Sequence, residues 1–486
     1  MRKTSWSLTI SIAILALTFG VVTTYFLISE NERQCLAQIA VLRDEDNELA
    51  ELLQFLNHFR TNHYFYDEDN DLIRGAIEGM VLQANDPWAR LLSVEEYWSI
   101  ANPLFGGFSG IGVRVEEVDG YAIIIEVLRN SPAEKYGLLI GDAIIRVEGE
   151  TFAGNNFEEV LNELLGASRS VVNLEIQRAN DLFDLNITRE YIAYESVVSN
   201  VFEHENKIIG YIRIANFGMN TQSDFSDAIA ELEKAEIDGL IIDMRDNPGG
   251  SMATLNTMVN YLLPTGRTIM RTINRHGREN TQTTRGDDNY RLDVEIVTLI
   301  NGGSASASEI FAAAMIESGE FEVIGTTSFG KGTVQTPLHI GDNILLSTIQ
   351  EGLSPSGEPI EGFGIKPTIY VEIPEFHDFL PLHLGRDVVL EYDMVDTRIL
   401  NAQLILEVLG HYTNRTDGYF DATTVKAVRS FQQSNNLSET GYINPETATA
   451  LSVALFEKMR NPAYDTQLLA AFEFFTTATS RNFENE

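Results

Sequence analysis

Strand and helix signals alternate from about residue 190 onward, and that alternation restricts the fold more than any other feature of the chain. A strand at Ile208–Ile214 is followed by a helix at Asp224–Ala235, a strand at Gly239–Met244 and a helix near Ala253–Leu263. Val294–Ile300 is a further apolar strand, running into Asn301-Gly302-Gly303 and then a helix from Ala305 to about Glu317. Strands joined through helices pair in parallel, so this order predicts an α/β core. A charged, turn-rich stretch at Arg275–Arg291 interrupts the pattern and reads as surface.

The texture differs on either side of this core. Residues 38–100 carry helical apolar periodicity, as in Leu49–Leu56 and Ile73–Leu82, whereas from 104 glycines and short Val/Ile runs such as Tyr121–Val127 indicate strands and turns. Near the C-terminus, Asp417-Gly-Tyr-Phe-Asp-Ala-Thr-Thr-Val-Lys-Ala-Val428 aligns without a gap on Thr440-Gly-Tyr-Ile-Asn-Pro-Glu-Thr-Ala-Thr-Ala-Leu451. Each copy reads as a glycine turn, a helix N-cap (Asp421 or Asn444) and an amphipathic helix, with Pro445 at the favoured first helical position. A chain of 486 residues divides into several such domains.

Trp6 to Ile28 is an uncharged apolar run, long enough as a helix to cross a hydrocarbon core of about 30 Å. Arg2 and Lys3 precede it, and Glu30 and Glu32 follow, so the positive-inside rule places everything after about residue 30 outside the cytoplasm. A cleaved signal peptide is the competing reading. The run exceeds the usual apolar region of about 7–15 residues and no small-x-small cleavage site follows, which favours a retained single-pass membrane anchor. A formal charge of −37 repels polyphosphate and excludes nucleic acid as a partner. The lone Cys35 forbids an intrachain disulfide and a cysteine-based metal cluster, and with no metal or nucleotide motif no cofactor is expected.

Chemistry concentrates in two segments. Ser304-Ala-Ser306-Ala-Ser308-Glu309-Ile310 follows a buried strand and a Gly-Gly turn, which puts serine at a helix N-terminus, where free amides can stabilise an oxyanion. Such a run taken alone equally reads as capping and packing. The second segment, Phe329-Gly330-Lys331-Gly332-Thr333-Val334-Gln335, supplies a lysine between two glycines. A lysine serves as a base only where burial favours its neutral amine, and Gln335, four positions on, is placed to orient it. The competing chemistry is a Ser-His-Asp triad, for which His276 and His339 are the histidines within the core near these motifs.

With these two segments, Ile209-Gly-Tyr-Ile-Arg-Ile-Ala-Asn-Phe217, Asp243-Met-Arg-Asp-Asn-Pro-Gly-Gly250, Ser354-Pro-Ser-Gly-Glu-Pro-Ile360 and Gly364-Ile-Lys-Pro367 complete a pattern over about residues 70–375. The chain resembles the carboxyl-terminal processing peptidases of the tail-specific serine protease family. That resemblance implies a serine endopeptidase in which the middle serine, Ser306, is the nucleophile and Lys331, 25 residues on, is the base. It further implies an oxyanion hole from the amide of Ala307 and from Gly249 or Gly250, a choice left open. Thr368, Trp88 and Leu165 depart from the family's frequent aspartate, tyrosine and arginine, and Leu165 puts arginine-dependent gating at that position in doubt.

Residues 104–190 resemble a PDZ domain through Ser109-Gly110-Ile111-Gly112-Val113 and Asn130–Asp142. Gly110, Ile111, Gly112 and Val113 would then form the loop that receives a peptide C-terminus. Residues 390–456 resemble a peptidoglycan-binding domain, with a helical protein-interaction domain as the alternative. The fold expected is a multidomain α/β protein. Its order is a cytoplasmic stub and transmembrane helix (1–30), a helical region (31–103), an α+β PDZ domain (104–190), an α/β serine protease core (191–380), a small α-helical peptidoglycan-binding-like domain (390–456) and a C-terminal tail (457–486). Expected partners are protein or peptide substrates, peptidoglycan and the membrane through residues 6–28, with a homodimer left open. The function expected is trimming or degrading envelope proteins; the alternative is a catalytically idle scaffold.

Overall fold

The computed structural model describes residues 47–67, 71–151, 157–193, 195–286 and 292–483, which belong to two compact units, one ending at Leu91 and one running on from Leu92. The anchor expected at 6–28 lies outside the described residues, and among those described no helix is long and apolar enough to cross a membrane. The first unit contributes two helices, Asn47–Asn62 and Leu72–Gln83, the second capped by Asp71, whose carboxylate accepts the Arg74 amide.

The core of the second unit is a six-stranded sheet: β1 (Val197–His204), β2 (Lys207–Ile214), β3 (Gly239–Asp243), β4 (Glu295–Ile300), β5 (Glu322–Gly325) and the short strand Ile369–Tyr370, paired in that order. β1 and β2 are antiparallel, and every later pairing is parallel. All five residues of β3 are buried, as expected of a parallel strand covered on both faces. Alternation sorts the side chains, so that Ile212, Leu240, Ile242 and Ile296 face one layer while Ile209, Ile241, Val297 and Leu299 face the other.

Helices α1 (Thr221–Lys234), α2 (Met252–Leu262) and α3 (Ala307–Gly319) cover the first face. In α1 the buried Phe225, Ala228, Ile229 and Leu232, and in α2 Leu255, Met258, Val259 and Leu262, follow the one-sided spacing of an amphipathic helix. α3 differs. From Ala307 through Met315 every residue is buried, so this helix is enclosed rather than laid on the surface. An antiparallel hairpin, β6 (Thr333–Ile340) with β7 (Asn343–Leu353), extends from the core.

The glycine-rich region forms an antiparallel sheet ordered Val113–Val118, Tyr121–Val127, Ala143–Val147, Val171–Arg178 and Asp181–Thr188, with Val113–Val118 at the edge. The repeated module is three helices, α4 (Thr397–Val408), α5 (Ala422–Ser434) and α6 (Pro445–Met459). Asp421 caps α5 by accepting the Thr423 and Thr424 amides at 2.8 and 2.9 Å, and Asn444 caps α6 through the Thr447 amide at 2.9 Å. Two buried glutamines explain the repeat. Gln403 accepts the Gly418 amide and donates to the Tyr419 carbonyl, and Gln432 does the same with Gly441 and Tyr442. Each glycine turn is thereby stapled to the helix before it. The module also touches the glycine-rich sheet, since Arg460 donates to the Ile125 carbonyl and Gln177 to that of Leu384.

The expected tail from residue 457 is not a tail. α6 runs to Met459, and α7 (Thr466–Phe483) returns to the core, where Leu468, Ala471, Phe472 and Phe475 cover the second face of the sheet. A Cβ at Gly239 would come within 2.4 Å of the Phe475 ring, so this helix sits directly on the strand. The helical module is therefore an insertion between the last strand and the helix that completes the core. Phe475→Ala is expected to cost about 3–5 kcal/mol in chemical denaturation, the usual range for emptying a buried aromatic site. A cost under about 1 kcal/mol would show that α7 is dispensable packing.

Candidate active site

Three turns leave the carboxyl ends of adjacent parallel strands: 244–250 after β3, 301–306 after β4 and 326–332 after β5. Strand ends of a parallel sheet are where an α/β fold gathers its functional loops. Asn247 joins the first two turns. Fully buried, it donates from Nδ2 to the Ile214 carbonyl, and its own carbonyl accepts the Ala305 amide and the Ser308 hydroxyl, both at 2.9 Å. Asn301 adds a second tie, accepting the Asp246 amide at 2.9 Å and donating back to the Asp246 carboxylate at 2.9 Å.

These contacts distinguish the three serines of the run. Ser304 and Ser308 are fully buried, and their hydroxyls donate to the carbonyls of Met244 (2.8 Å) and Asn247 (2.9 Å). Both are structural pins. Ser306 is half-buried and immediately precedes α3 with φ +55° and ψ −113°, a conformation that non-glycine residues avoid. Such strain persists only where the surroundings enforce it, and a serine on a tight strand-to-helix turn projects its hydroxyl out of the sheet. Ala307 is the first residue of α3, so its amide has no acceptor within the helix.

Lys331 lies on the third turn, half-buried, with Nζ donating to Gln335 Oε1 at 3.0 Å. Gln335 reaches it because the β6–β7 pairing shifts register between Val334 and Gln335, which re-aims the side chain. Both flanking glycines are required. A Cβ on Gly332 would stand 2.3 Å from the Glu361 amide nitrogen, and Gly330 has φ +96°. The loop is held on one side by Gly362, which donates to the Gly330 carbonyl, and by Glu361, which accepts the Gly332 amide. On the other side stands Glu309 of α3, fully buried, which accepts the Ser328 hydroxyl, the amides of Gly330 and Lys331, and the Ser306 amide. His276 and His339 are both exposed, His276 in the turn after Asn274 and His339 near the tip of the β6–β7 hairpin. His339 is four residues beyond Gln335, roughly 13 Å along the strand.

Of the two candidate oxyanion glycines, Gly249 donates its amide to Asn247 Oδ1 at 2.8 Å. Gly250 forms a parallel bridge with Phe217 made by the flanking groups, Phe217 N–H to Gly249 C=O and Ser251 N–H to Phe217 C=O, which turns its own amide away from that strand. Gly249 has another necessity, because a Cβ there would approach the Ala307 nitrogen to 2.9 Å. In the glycine-rich domain, Gly110 bridges Leu165, and the carbonyls of Ile111 and Gly112 accept the amides of Ala133 and Leu128. Val113 opens the edge strand.

Beneath the first turn, Arg245 binds Asp243 and Asp465 at 2.6 and 2.8 Å, and Tyr211 donates to Asp243 at 2.8 Å. Burial pushes the Asp243 carboxyl up, but the Arg245 guanidinium and its hydrogen bonds outweigh that and hold it below the usual carboxylate range. Burial and the adjacent Asp243 raise the Tyr211 hydroxyl. This network ties the turn to the start of α7. Sequence reasoning missed the roles of Asn247, Arg245 and Glu309, although Ser306-Ala-Ser-Glu309 carries the spacing of a capping box, the available signal for Glu309.

Peptidase family S41 matches residues 208–371, a PDZ domain 109–188 and a peptidoglycan binding domain 396–451. Carboxy-terminal processing protease CtpB of Bacillus subtilis (strain 168) is 35% identical over 418 residues, covering 85% of this chain and 86% of its own. CtpA of the same organism is 34% identical over 430 residues, covering 88% and 90%.

Arg245→Met leaves Asp243 buried without its cation, a change expected to cost about 3–5 kcal/mol in urea denaturation at pH 7. Because the folded carboxyl is depressed, its contribution is full above the unfolded value of about 3.9 and is lost as pH falls below it. The gap between the two proteins should therefore narrow toward and below about pH 4. A gap independent of pH would show that Arg245 acts through packing.

Proposed function

This chain belongs to the carboxy-terminal processing proteases of peptidase family S41, serine proteases built here with a PDZ and a peptidoglycan-binding domain, and from that premise we propose that Ser306 and Lys331 form its catalytic dyad. The observation that carries the assignment is the strained Ser306 at the head of α3, linked through Glu309 to the loop whose lysine is bonded by Gln335. The neutral Lys331 amine takes the Ser306 proton as Oγ attacks the substrate carbonyl. The oxyanion is received by the amides of Ala307 and Gly250, Gly250 being preferred because the Gly249 amide is engaged by Asn247. The lysine ammonium then protonates the departing amine. In the second half, Lys331 deprotonates the water that cleaves the acyl-enzyme, restoring Ser306. Gln335 holds the amine toward the serine.

The substrate enters by its C-terminus. Val113–Val118, the edge strand of its sheet among the described residues, pairs with an extended peptide, and the Gly110–Val113 loop receives the terminal carboxylate. Residues 6–28 anchor the chain in the membrane with the protease outside the cytoplasm, and α4–α6 engage peptidoglycan.

Lys331→Ala should lower kcat by at least about 10²-fold, within the range a general base supplies, while His339→Ala stays within about twofold of the parent. Labelling by a serine-reactive phosphonate should vanish in Ser306→Ala. Retained proteolysis in the lysine variant would eliminate the dyad. Amidating a peptide substrate's C-terminus should raise KM about tenfold or more at similar kcat, and equal cleavage of both forms would remove terminal docking from the mechanism.

A further inference from the structure

We propose that Glu309 is a positioning residue that sets nucleophile and base in register, an inference that rests on the assignment of Ser306 and Lys331 to the chemistry. Its carboxylate is fully buried at the third position of α3 and bends back over the helix start. Oε1 accepts the Ser328 hydroxyl and the Gly330 amide, each at 2.6 Å; Oε2 accepts the Ser306 amide at 2.7 Å and the Lys331 amide at 2.8 Å. Two donors on each oxygen fill the acceptor capacity of an ionised carboxylate.

The distribution of those donors identifies the role. A glutamate that only caps a helix binds the N-cap amide, and an exposed side chain does that equally well. Here one donor belongs to the helix start and three to a loop 19 to 22 residues further along the chain. Ser306 and Lys331 share a single oxygen, so their main-chain nitrogens can be no farther apart than those two hydrogen bonds laid end to end. All four donors are neutral, and burying a carboxylate against neutral donors costs several kcal/mol of hydration that the hydrogen bonds must offset. That arrangement is understandable where the register between two loops is what matters.

Ser328 extends the tie. Its hydroxyl donates to Glu309 and accepts the Ile365 amide at 2.6 Å, while its own amide donates to the Ile365 carbonyl. The Lys331 loop is thus gripped between α3 and the 360–365 segment, and Glu309 is the member of that grip which also touches Ser306.

Glu309→Gln is the test, because it keeps the side chain's size but turns an NH2 toward one of the two donor pairs. In the full-length protein with a peptide substrate, kcat is expected to fall about 10²-fold, the scale of a roughly 1 Å misplacement, with KM within about threefold of the parent. Phosphonate labelling of Ser306 should slow in proportion. A folded variant with kcat within about threefold of the parent, or one that loses only KM, would overturn the proposal. Should the variant fail to fold, Ser328→Ala decides, since it removes one donor and leaves the carboxylate: about a tenfold lower kcat at unchanged KM is expected, and an unchanged kcat overturns the proposal. Ser306→Ala and Lys331→Ala are assayed beside them. Activity in those two defeats the dyad itself, whereas their inactivity combined with full activity in Glu309→Gln defeats only the role of Glu309.

Discussion

A parallel sheet apolar on both faces has to be covered twice, and the second cover here arrives from the far end of the chain. Strands β3 and β4 alternate aliphatic side chains to either layer, leaving Ile241, Val297 and Leu299 to be buried by something other than α1–α3. α7 does this with Leu468, Ala471, Phe472 and Phe475. Burying such side chains contributes about 1.5–3 kcal/mol each for the larger ones, enough to decide whether the core is stable. The chain between the last strand and α7 is committed as a consequence. The three-helix module becomes part of the path that closes the protease core, and the Arg245–Asp465 ion pair fastens that closure directly beneath the turn carrying Gly249 and Gly250.

Above the sheet, the site is built from turns that hold one another through buried polar side chains. Asn247 binds the Gly-Gly turn to the serine turn, and Glu309 binds the serine turn to the lysine loop. Buried polar groups of this kind are costly when half satisfied and rigidifying when fully satisfied. The strained backbone at Ser306 fits this setting, since the conformation is enforced by the neighbouring turns rather than by the residue's own preference.

Much of this is legible in the sequence. The helices expected at Asp224–Ala235 and near Ala253–Leu263 form as α1 and α2, Asp421 and Asn444 cap their helices where expected, and the glycines beside Lys331 do permit a close approach. What escaped was long-range. Residues 457–486 read as a tail because an amphipathic C-terminal helix carries no sign of which surface it will cover. Gln403 and Gln432, which make the repeat a structural unit, were invisible because a buried glutamine looks like any surface one. That Asn247 engages the Gly249 amide was likewise out of reach, because the bond depends on how the turn folds.

By itself, then, the sequence marked the alternation of strands and helices in the core, the glycine turns, and the two segments that hold Ser306 and Lys331, because periodicity, turn propensity and spacing act over a few residues. Only the tertiary structure decided that α7 completes the core, that Ser304 and Ser308 are pins while Ser306 projects from a strained turn, and that one buried carboxylate joins the two loops. Those outcomes depend on groups far apart in the chain meeting in space, where burial makes an unmatched donor or acceptor too costly to leave unpaired.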